Sequence, residues 1–370
     1  QEQPRGTGDA VRAAGSALAG FDGDVLVLVG DAPMLRADTL VELVATHRRE
    51  GAAATILSAI PPDPRVYGRI VRARDGSVLR IAEGTDATPE EREIREINSS
   101  IYAFRSSLLW PALERLVPKN VQGELYLTDV IEILVSDGER VAAHVADDPS
   151  EADGVNTRVE LAFAGRALRD RINEAHMLAG VTIVDPQSTW IEPTVTLEAD
   201  VTVHPFTVLR GATRVETGAE IQAHSVLVDA TLGAGATVGP FCYLRPGAAL
   251  GSDAKAGTFV EIKNARIGDR TKVPHLSYVG DADVGDDTNL GAGAITANFP
   301  HQPGRPKGRT TIGSNVRTGV HNAFVAPVEV GDGAWVAAGS VITEDVPAGA
   351  LGIARPRQEN KEGYAARQRD

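Results

Sequence analysis

The stretch VTLEADVTVHPFTVLRGATRVETGAEIQAHSVL, residues 195–227, decides the fold. Its apolar residues fall on a beat of six: Leu197, Val203, Leu209, Val215, Ile221 and Leu227. The same beat returns at Ile312, Thr318, Phe324, Val330, Val336 and Ile342. A period of six fits neither the helical repeat nor an alternating strand. It predicts short strands that each turn a corner and stack on the coil below, a left-handed parallel β-helix of hexapeptide repeats. Such a fold buries its core coil by coil and favours trimers that share sites between neighbouring prisms.

Outward from that stretch, the first half has another texture. Residues 9–18 and 40–47 carry helical patterns, while DVLVLV (24–29), 52–60 and 97–104 read as strands. YGRIVRARDGSVLRIAE (67–83) reads as a hairpin turned at Asp75-Gly76. The alternation predicts a Rossmann-like α/β layer with a largely parallel sheet, and ligands at its strand ends, where Asp31 would lie. Helical spacing of Val159, Phe163, Leu168, Ile172 and Ala175 predicts a connecting helix. The expected division is an α/β domain at 1–156, the helix at 157–180, the β-helix at 181–349 and a polar, basic tail at 350–370. Around Asn298 to Thr310, Pro300, Pro303, Gly304 and Pro306 predict a loop extruded from the coils.

At 370 residues with 42% hydrophobic and 24% charged residues, the chain is long enough for two packed domains. Aromatics at 5% and 38 glycines suit a turn-rich repeat. A net charge of -13 argues against nucleic acid as a partner. The single Cys242 leaves no intrachain disulfide and no zinc cluster, so a reducing cytoplasm is the expected compartment. No run is long enough to span a bilayer, and the start shows no signal pattern, so no membrane partner is expected.

Between Tyr243 and Phe299 polar groups are denser than coil packing requires. Arg245, Lys263, His275, Tyr278, Asn289 and Asn298 recur at intervals that return to related faces, with Lys307 in the extruded loop. Cations, a histidine, a phenol and amides around one groove suit a phosphorylated amino sugar whose amine is deprotonated as it attacks a thioester. Histidine is the side chain whose ordinary titration lies near neutrality. Each residue also admits a plainer role: the cations as solvated charges, His275 as an exposed turn residue, Tyr278 as packing, and the asparagines as corner residues. In the first half, Asp31 at a strand end could hold a cation or cap a turn, and Asn156 could serve as a helix N-cap.

The strings GPFCYLRPG (239–247), GTFVEIKNARIG (257–268), PHLSYVGDADVGDDTNLGAGAITANF (274–299) and FVAPVEVGDG (324–333) resemble the acetyltransferase half of the bifunctional GlmU family. QEQPRGTGDA (1–10), VGDAPML (29–35), YGRIV (67–71), EINSSIYAF (96–104), ELYLTDVI (124–131) and GVNTR (154–158) resemble its uridylyltransferase half. The resemblance implies acetyl transfer from acetyl-CoA to glucosamine-1-phosphate by a homotrimer. It assigns His275 as general base, Arg245, Lys263 and Lys307 to the sugar phosphate, and Tyr278 and Asn289 to the sugar. Asn298 positions the amine or acetyl group, and acetyl-CoA lies along Ala292, Val320 and Ala338 with Arg355 near its phosphates. In the first half it implies Mg2+ at Asp31 and Asn156. The resemblance further implies that Gln1, Gly6 and Thr7 face the uracil of UTP and that Gly68, Glu83 and Asn98 contact the sugar.

Departures from the family pattern are Phe299-Pro300-His301 after Asn298, Val320 where serine is usual, and early coils one turn shorter around Ser225. Asp9, Thr85 and Ser100 stand where His, Lys and Gly are usual. The family's first strand and Gly-rich triphosphate loop would precede residue 1, so uridylyl transfer is expected to be impaired in this chain. Two alternatives remain open at this point: a sugar-nucleotide pyrophosphorylase with a structural β-helix, and a noncatalytic trimer.

Overall fold

The computed structural model describes residues 4–64, 66–84, 86–120, 122–300, 304 and 306–368. The chain divides into two compact units, Gln1–Gly165 and Arg166–Asp370.

In the first unit the expected strands and helices form, together with a strand at Val141–Val145 and helices at Ser106–Leu113 and Asp129–Ser136 that the sequence pattern does not announce. The strands are β1 (Asp24–Val27), β2 (Ala54–Ala59), β3 (Arg69–Arg72), β4 (Val78–Ala82), β5 (Ile97–Arg105) and β6 (Val141–Val145). Helices Thr7–Ala13, Ala37–Arg49, Ser106–Leu113 and Asp129–Ser136 flank them. Tyr102, Phe104, Ile56, Leu109, Leu113 and Ile131 fill the core, each removing on the order of 1.5–3 kcal/mol of apolar surface cost from water. Asp75-Gly76 does turn the β3–β4 hairpin, with Gly76 at φ 86.

The expectation of a largely parallel sheet is corrected. Only β2 and β6 pair in parallel; β1, β2 and β3 all pair antiparallel to β5. Strands β1, β2 and β6 still run the same way, as a helix–strand alternation requires. The long β5 inserts between β1 and β2 and uses both of its edges, a pairing that hydropathy does not encode.

The helix Arg158–Leu178 is started by Thr157. Its Oγ1 accepts from the Glu160 amide at 3.2 Å, while the Glu160 carboxylate accepts from the Asn156 and Thr157 amides at 2.8 Å. This reciprocal pair satisfies N-terminal amides that have no helical partner. Thr157 therefore does the capping, and the N-cap role is not Asn156's.

The second unit is a triangular prism of stacked coils, every inter-coil pair parallel. All twelve residues of the six-residue beat are buried. Coils repeat every 18 residues early, as between Ser188 and Phe206, and every 17 from Ser252 to Asp269. Across the expected extruded loop the step grows to 28, from Asp286 to Ser314. The first face carries Lys255–Thr258, Lys272–His275, Asn289, Arg317–Thr318, Trp335–Val336 and finally Leu351–Gly352. The second carries Tyr243–Leu244, Tyr278 and Ile295–Ala297 among others, and the third Ala248–Leu250, Thr310–Ile312 and Val328–Val330.

All three corners are built from left-handed backbone, which costs an L-residue roughly 1–2 kcal/mol; Asp253, Arg270, Asp287 and Asn315 take it at one, and the remaining two follow the same rule. One stacks Phe206, His224, Phe241, Phe259 and Leu276, with adjacent rings of the first four 4.8–5.2 Å apart. The other uses Asp229, Gly247, Asn264 and Asp281, the residue types that tolerate this conformation best.

Candidate functional site

On the second face, Arg245 and Lys263 flank the corner in consecutive coils, extending the pairing of Leu244 with Ile262. Stacked coils lie about 4.8 Å apart, so two cations are held close together. Lys307, returning from the extruded loop, lies beside Lys263. The Lys307 ammonium holds Lys263 below the usual lysine range, Arg245 adds to the effect, and Asp281 opposes it. Glu261 offsets Arg245 at 2.7 Å and raises its pKa. Like charges gathered this way favour an anion carrying more than one charge.

The next coil places Gly280 directly over Lys263, and Tyr278 folds beside it. A β-carbon on Gly280 would lie 2.2 Å from the Tyr278 hydroxyl and 2.5 Å from its Cζ. The glycine thus leaves the space into which the phenol projects. At the adjoining corner, Asn264, Asp281 and Asn298 stack in three consecutive coils. Asn264 donates to Asp281 at 2.6 Å, and Asn298 donates to the second Asp281 oxygen. Arg309 ties the loop's returning leg to Asp283 and to the Ala282 and Asn264 carbonyls.

His275 ends its strand on the first face, beside corner residue Leu276, and its side chain is exposed. The proposed coenzyme residues rise from it in one column. Gly293 N–H donates to His275 O, His321 N–H to Ala292 O, and Gly339 N–H to Val320 O, at 3.2, 2.7 and 2.8 Å. Arg355 Cδ lies 3.9 Å from the β-carbon position of Gly339, the residue after Ala338. His275, Ala292, Val320, Ala338 and Arg355 therefore follow one edge of the prism, with the second-face cations one corner away.

Asn289 shares the first face with His275 and not the second face with Arg245, Lys263 and Tyr278. It bridges Lys272 and Arg317 on the first face and lines a cleft of about 680 Å³ with Arg270, Asp287 and Thr288. The reason is the coil step. Spacing alone does not say which of three sides a residue occupies once five-residue steps interrupt a beat of six.

Cys242 is buried, donates to Val260 O at 3.1 Å, and burial pushes its thiol up to about 12, so it is a packing residue.

In the first unit, Thr7, Glu83, Ser100, Tyr102 and Thr128 line a cleft of about 420 Å³ walled by Val27, Leu28 and Val29. Glu83 accepts from Thr128 at 2.7 Å, and burial raises its carboxyl above the usual range. Asn98 is buried behind the cleft and donates to the Tyr102 hydroxyl at 2.8 Å. Gly68 lies against Ile81 and Glu83, and Gly6, at φ 110, packs on the Leu125 backbone where a β-carbon would collide. Thr7 Oγ1 accepts from the Leu127 amide at 2.9 Å. Gln1 and Thr85 lie outside the described residues. Asp9 is buried between Arg5 and Arg12, and Ser100 sits at φ 62, a conformation natural to glycine.

Asp31 is exposed, and its backbone carbonyl accepts from Val155 at 2.8 Å, which holds 154–156 beside it. Its carboxylate, within 3.5 Å of the Gly154 β-carbon position, has no hydrogen-bond partner among the described residues. Those residues contain no group of three or more His, Cys, Asp or Glu that could hold a metal. One free carboxylate with a neighbouring amide suits a hard cation that takes its remaining ligands from water and phosphate.

Sequence reasoning missed Gly280, Asp281, Arg309, Tyr102 and Thr128. A glycine inside a strand was the one available signal, since it often marks a close approach.

Residues 1–152 match the Nucleotidyl transferase family, and residues 309–344 match the Hexapeptide repeat of succinyl-transferase. The chain is 51% identical to the bifunctional protein GlmU of Streptomyces coelicolor, over 100% of its own length and 80% of the relative's. It is 49% identical to GlmU of Mycobacterium tuberculosis, over 100% and 77%, and 49% identical to that of Corynebacterium aurimucosum, over 100% and 78%. Among the described residues no helix is long and apolar enough to cross a membrane. With a nucleotidyl transferase unit and a hexapeptide β-helix in one chain, and half its residues shared along its whole length, the chain belongs to the bifunctional GlmU family of transferases, which join an acetyltransferase to a uridylyltransferase.

Proposed function

We propose that the β-helix unit transfers the acetyl group of acetyl-CoA to the amine of glucosamine-1-phosphate. One observation carries the reading: Arg245, Lys263 and Lys307 gather on one face, a single corner away from His275 at the foot of the column that ends in Arg355. The cations hold the sugar phosphate, and Tyr278 and Asn289 contact the sugar. Acetyl-CoA runs along Ala292, Val320 and Ala338, and Arg355 meets its phosphates. His275 accepts a proton from the sugar ammonium. The freed nitrogen lone pair then attacks the thioester carbonyl, the nitrogen sheds its second proton as the C–S bond breaks, and the departing thiolate takes that proton. Asn289 lies on the first face with His275 and not on the second face with the cations and Tyr278, so a homotrimer in which a second copy supplies part of each site is the assembly this reading requires.

For the first unit the reading is uridylyl transfer from UTP to give UDP-N-acetylglucosamine, a cell-wall precursor. Gly6, Thr7, Gly68, Glu83 and Asn98 contact the nucleotide sugar, and Asp31 and Asn156 hold Mg2+. Bound there, the ion would neutralise charge on the nucleotide phosphates. The functional divisions follow as 1–156, 157–180, 181–349 and 350–370, in a cytoplasmic enzyme.

The test is incubation of purified chain with acetyl-CoA and glucosamine-1-phosphate, with mass spectrometry for the N-acetylated sugar phosphate. Failure to form it would overturn the acetyl-transfer reading.

A further inference from the structure

We infer that Asp281 is a positioning residue for acetyl transfer: its carboxylate fixes the Asn298 amide so that the acceptor oxygen Oδ1, and not the amide nitrogen, is offered to the substrate amine. The inference rests on the acetyl-transfer reading and names a residue which that reading leaves out.

Asp281 is 9% exposed and Asn298 7% exposed. An ionised carboxylate has no proton to donate, so the side chains facing it must present N–H groups. Both neighbours do so, Asn264 through Nδ2 to one oxygen and Asn298 through Nδ2 to the other. The orientation of the Asn298 amide is thereby set by chemistry. Its Oδ1 points away from Asp281 and has no protein partner among the described residues. The backbone of Asn298 is fixed as well, donating to Thr296 O at 3.1 Å and accepting from Gly308 at 3.0 Å, next to Lys307.

A corner aspartate need not work this way. Asp229 occupies the same corner lower in the prism, and its carboxylate accepts from the Ala212 backbone amide at 2.8 Å. The Asp281 carboxylate accepts from two side-chain amides instead, one of them on a residue bonded to the Lys307 segment.

The chemistry of the reaction explains why orientation matters. An amine whose lone pair points at a thioester carbon directs its N–H bonds elsewhere and needs acceptors there. An oxygen meets that need, whereas an NH2 group would oppose it.

The experiment is steady-state thiol release from acetyl-CoA with glucosamine-1-phosphate, using wild type, Asp281→Ala, and Asn298→Asp in the Asp281→Asn background. Asp281→Ala frees the amide to turn and is expected to lower kcat at least about 10-fold. The phosphate-holding cations remain and lose an opposing carboxylate, so KM for the sugar phosphate stays within about 3-fold or falls. A merely structural loss would raise that KM together with the fall in kcat.

The double variant exchanges amide and carboxylate. The amide placed at position 281 would accept from Asn264 through its oxygen and donate through its nitrogen to the carboxylate at position 298, whose second oxygen still faces outward. Its kcat should return to within about 10-fold of wild type. The inference is overturned if Asp281→Ala keeps kcat within about 3-fold, or if the folded double variant is as slow as Asp281→Ala. Should Asp281→Ala fail to fold, the double variant decides alone. A wild-type chain that releases no thiol would bring down the acetyl-transfer reading itself, whereas an active wild type with either contrary result brings down this inference only.

Discussion

Replacing Gly280 with alanine should remove acetyl transfer without weakening the fold. The added β-carbon would sit 2.2 Å from the Tyr278 hydroxyl, 2.5 Å from Cζ and 2.8 Å from Cε1. Ordinary carbon contacts begin near 3.5 Å, so the phenol must retreat by roughly 1 Å or more. The backbone has no reason to follow it. Gly280 N–H donates to Thr296 Oγ1 at 2.7 Å, its carbonyl accepts from the same hydroxyl at 2.9 Å, and its φ is not in the left-handed region. Replacing glycine in a strand at a compatible position stabilises by about 0.5–1 kcal/mol through the unfolded state. A displacement of about 1 Å at a reacting centre costs on the order of 100-fold in rate, or about 2.7 kcal/mol. Gly280→Ala is therefore expected to lower kcat about 100-fold in the thiol-release assay while Tm holds or rises. In a Tyr278→Ala background the same change should cost less than about 3-fold, because the group it displaces is gone. A Gly280→Ala enzyme within about 3-fold of wild type, or an undiminished loss in the Tyr278→Ala background, would mean that acetyl transfer does not need the phenol in this space.

Lys307→Ala should raise KM for glucosamine-1-phosphate about 10-fold or more and change KM for acetyl-CoA less than about 3-fold; equal losses would remove Lys307 from the phosphate. Ser100→Gly relieves a left-handed serine at φ 62 and should stabilise the first unit by about 1 kcal/mol, read as a rise in Tm of a few degrees. Burial holds the His47 imidazole below its ordinary value, with Asp24 opposing. The unfolded chain therefore takes up that proton first as pH falls. The stability from a neutral His47 is complete above about pH 6.5 and is lost as pH drops from there toward the folded value. His47→Gln should flatten the fall in Tm between about pH 7.5 and about pH 5.5; an unchanged slope would contradict the assignment.

The prism was legible because each coil repeats a local rule: one buried, mostly aliphatic residue per strand on a beat of six, with Gly, Asn and Asp recurring at corners that turn left-handed. The beat from Leu197 to Leu227 sufficed for that. Which face a residue occupies was less legible, as Asn289 shows, because each five-residue step rotates everything after it. Asp281 and Gly280 went unnoticed since their partners, Asn264 and Asn298 for one and the ring of Tyr278 for the other, matter only after coils stack at 17-residue offsets. In the first unit hydropathy marked β1 to β5, left β6 unmarked, and could not show that β5 would take both β1 and β2 as antiparallel neighbours. The Thr157–Glu160 cap was readable from spacing, and Asn156 drew attention from it.

Acetyl transfer as proposed depends on His275, one corner from Arg245, Lys263 and Lys307, taking the proton from a bound amino sugar beside a thioester. The measurement is thiol release from acetyl-CoA by wild type and His275→Ala at saturating glucosamine-1-phosphate. Wild type should turn over, and His275→Ala should lose about 100-fold or more in kcat with KM for the sugar phosphate little changed. Release by His275→Ala at the wild-type rate would contradict the claim.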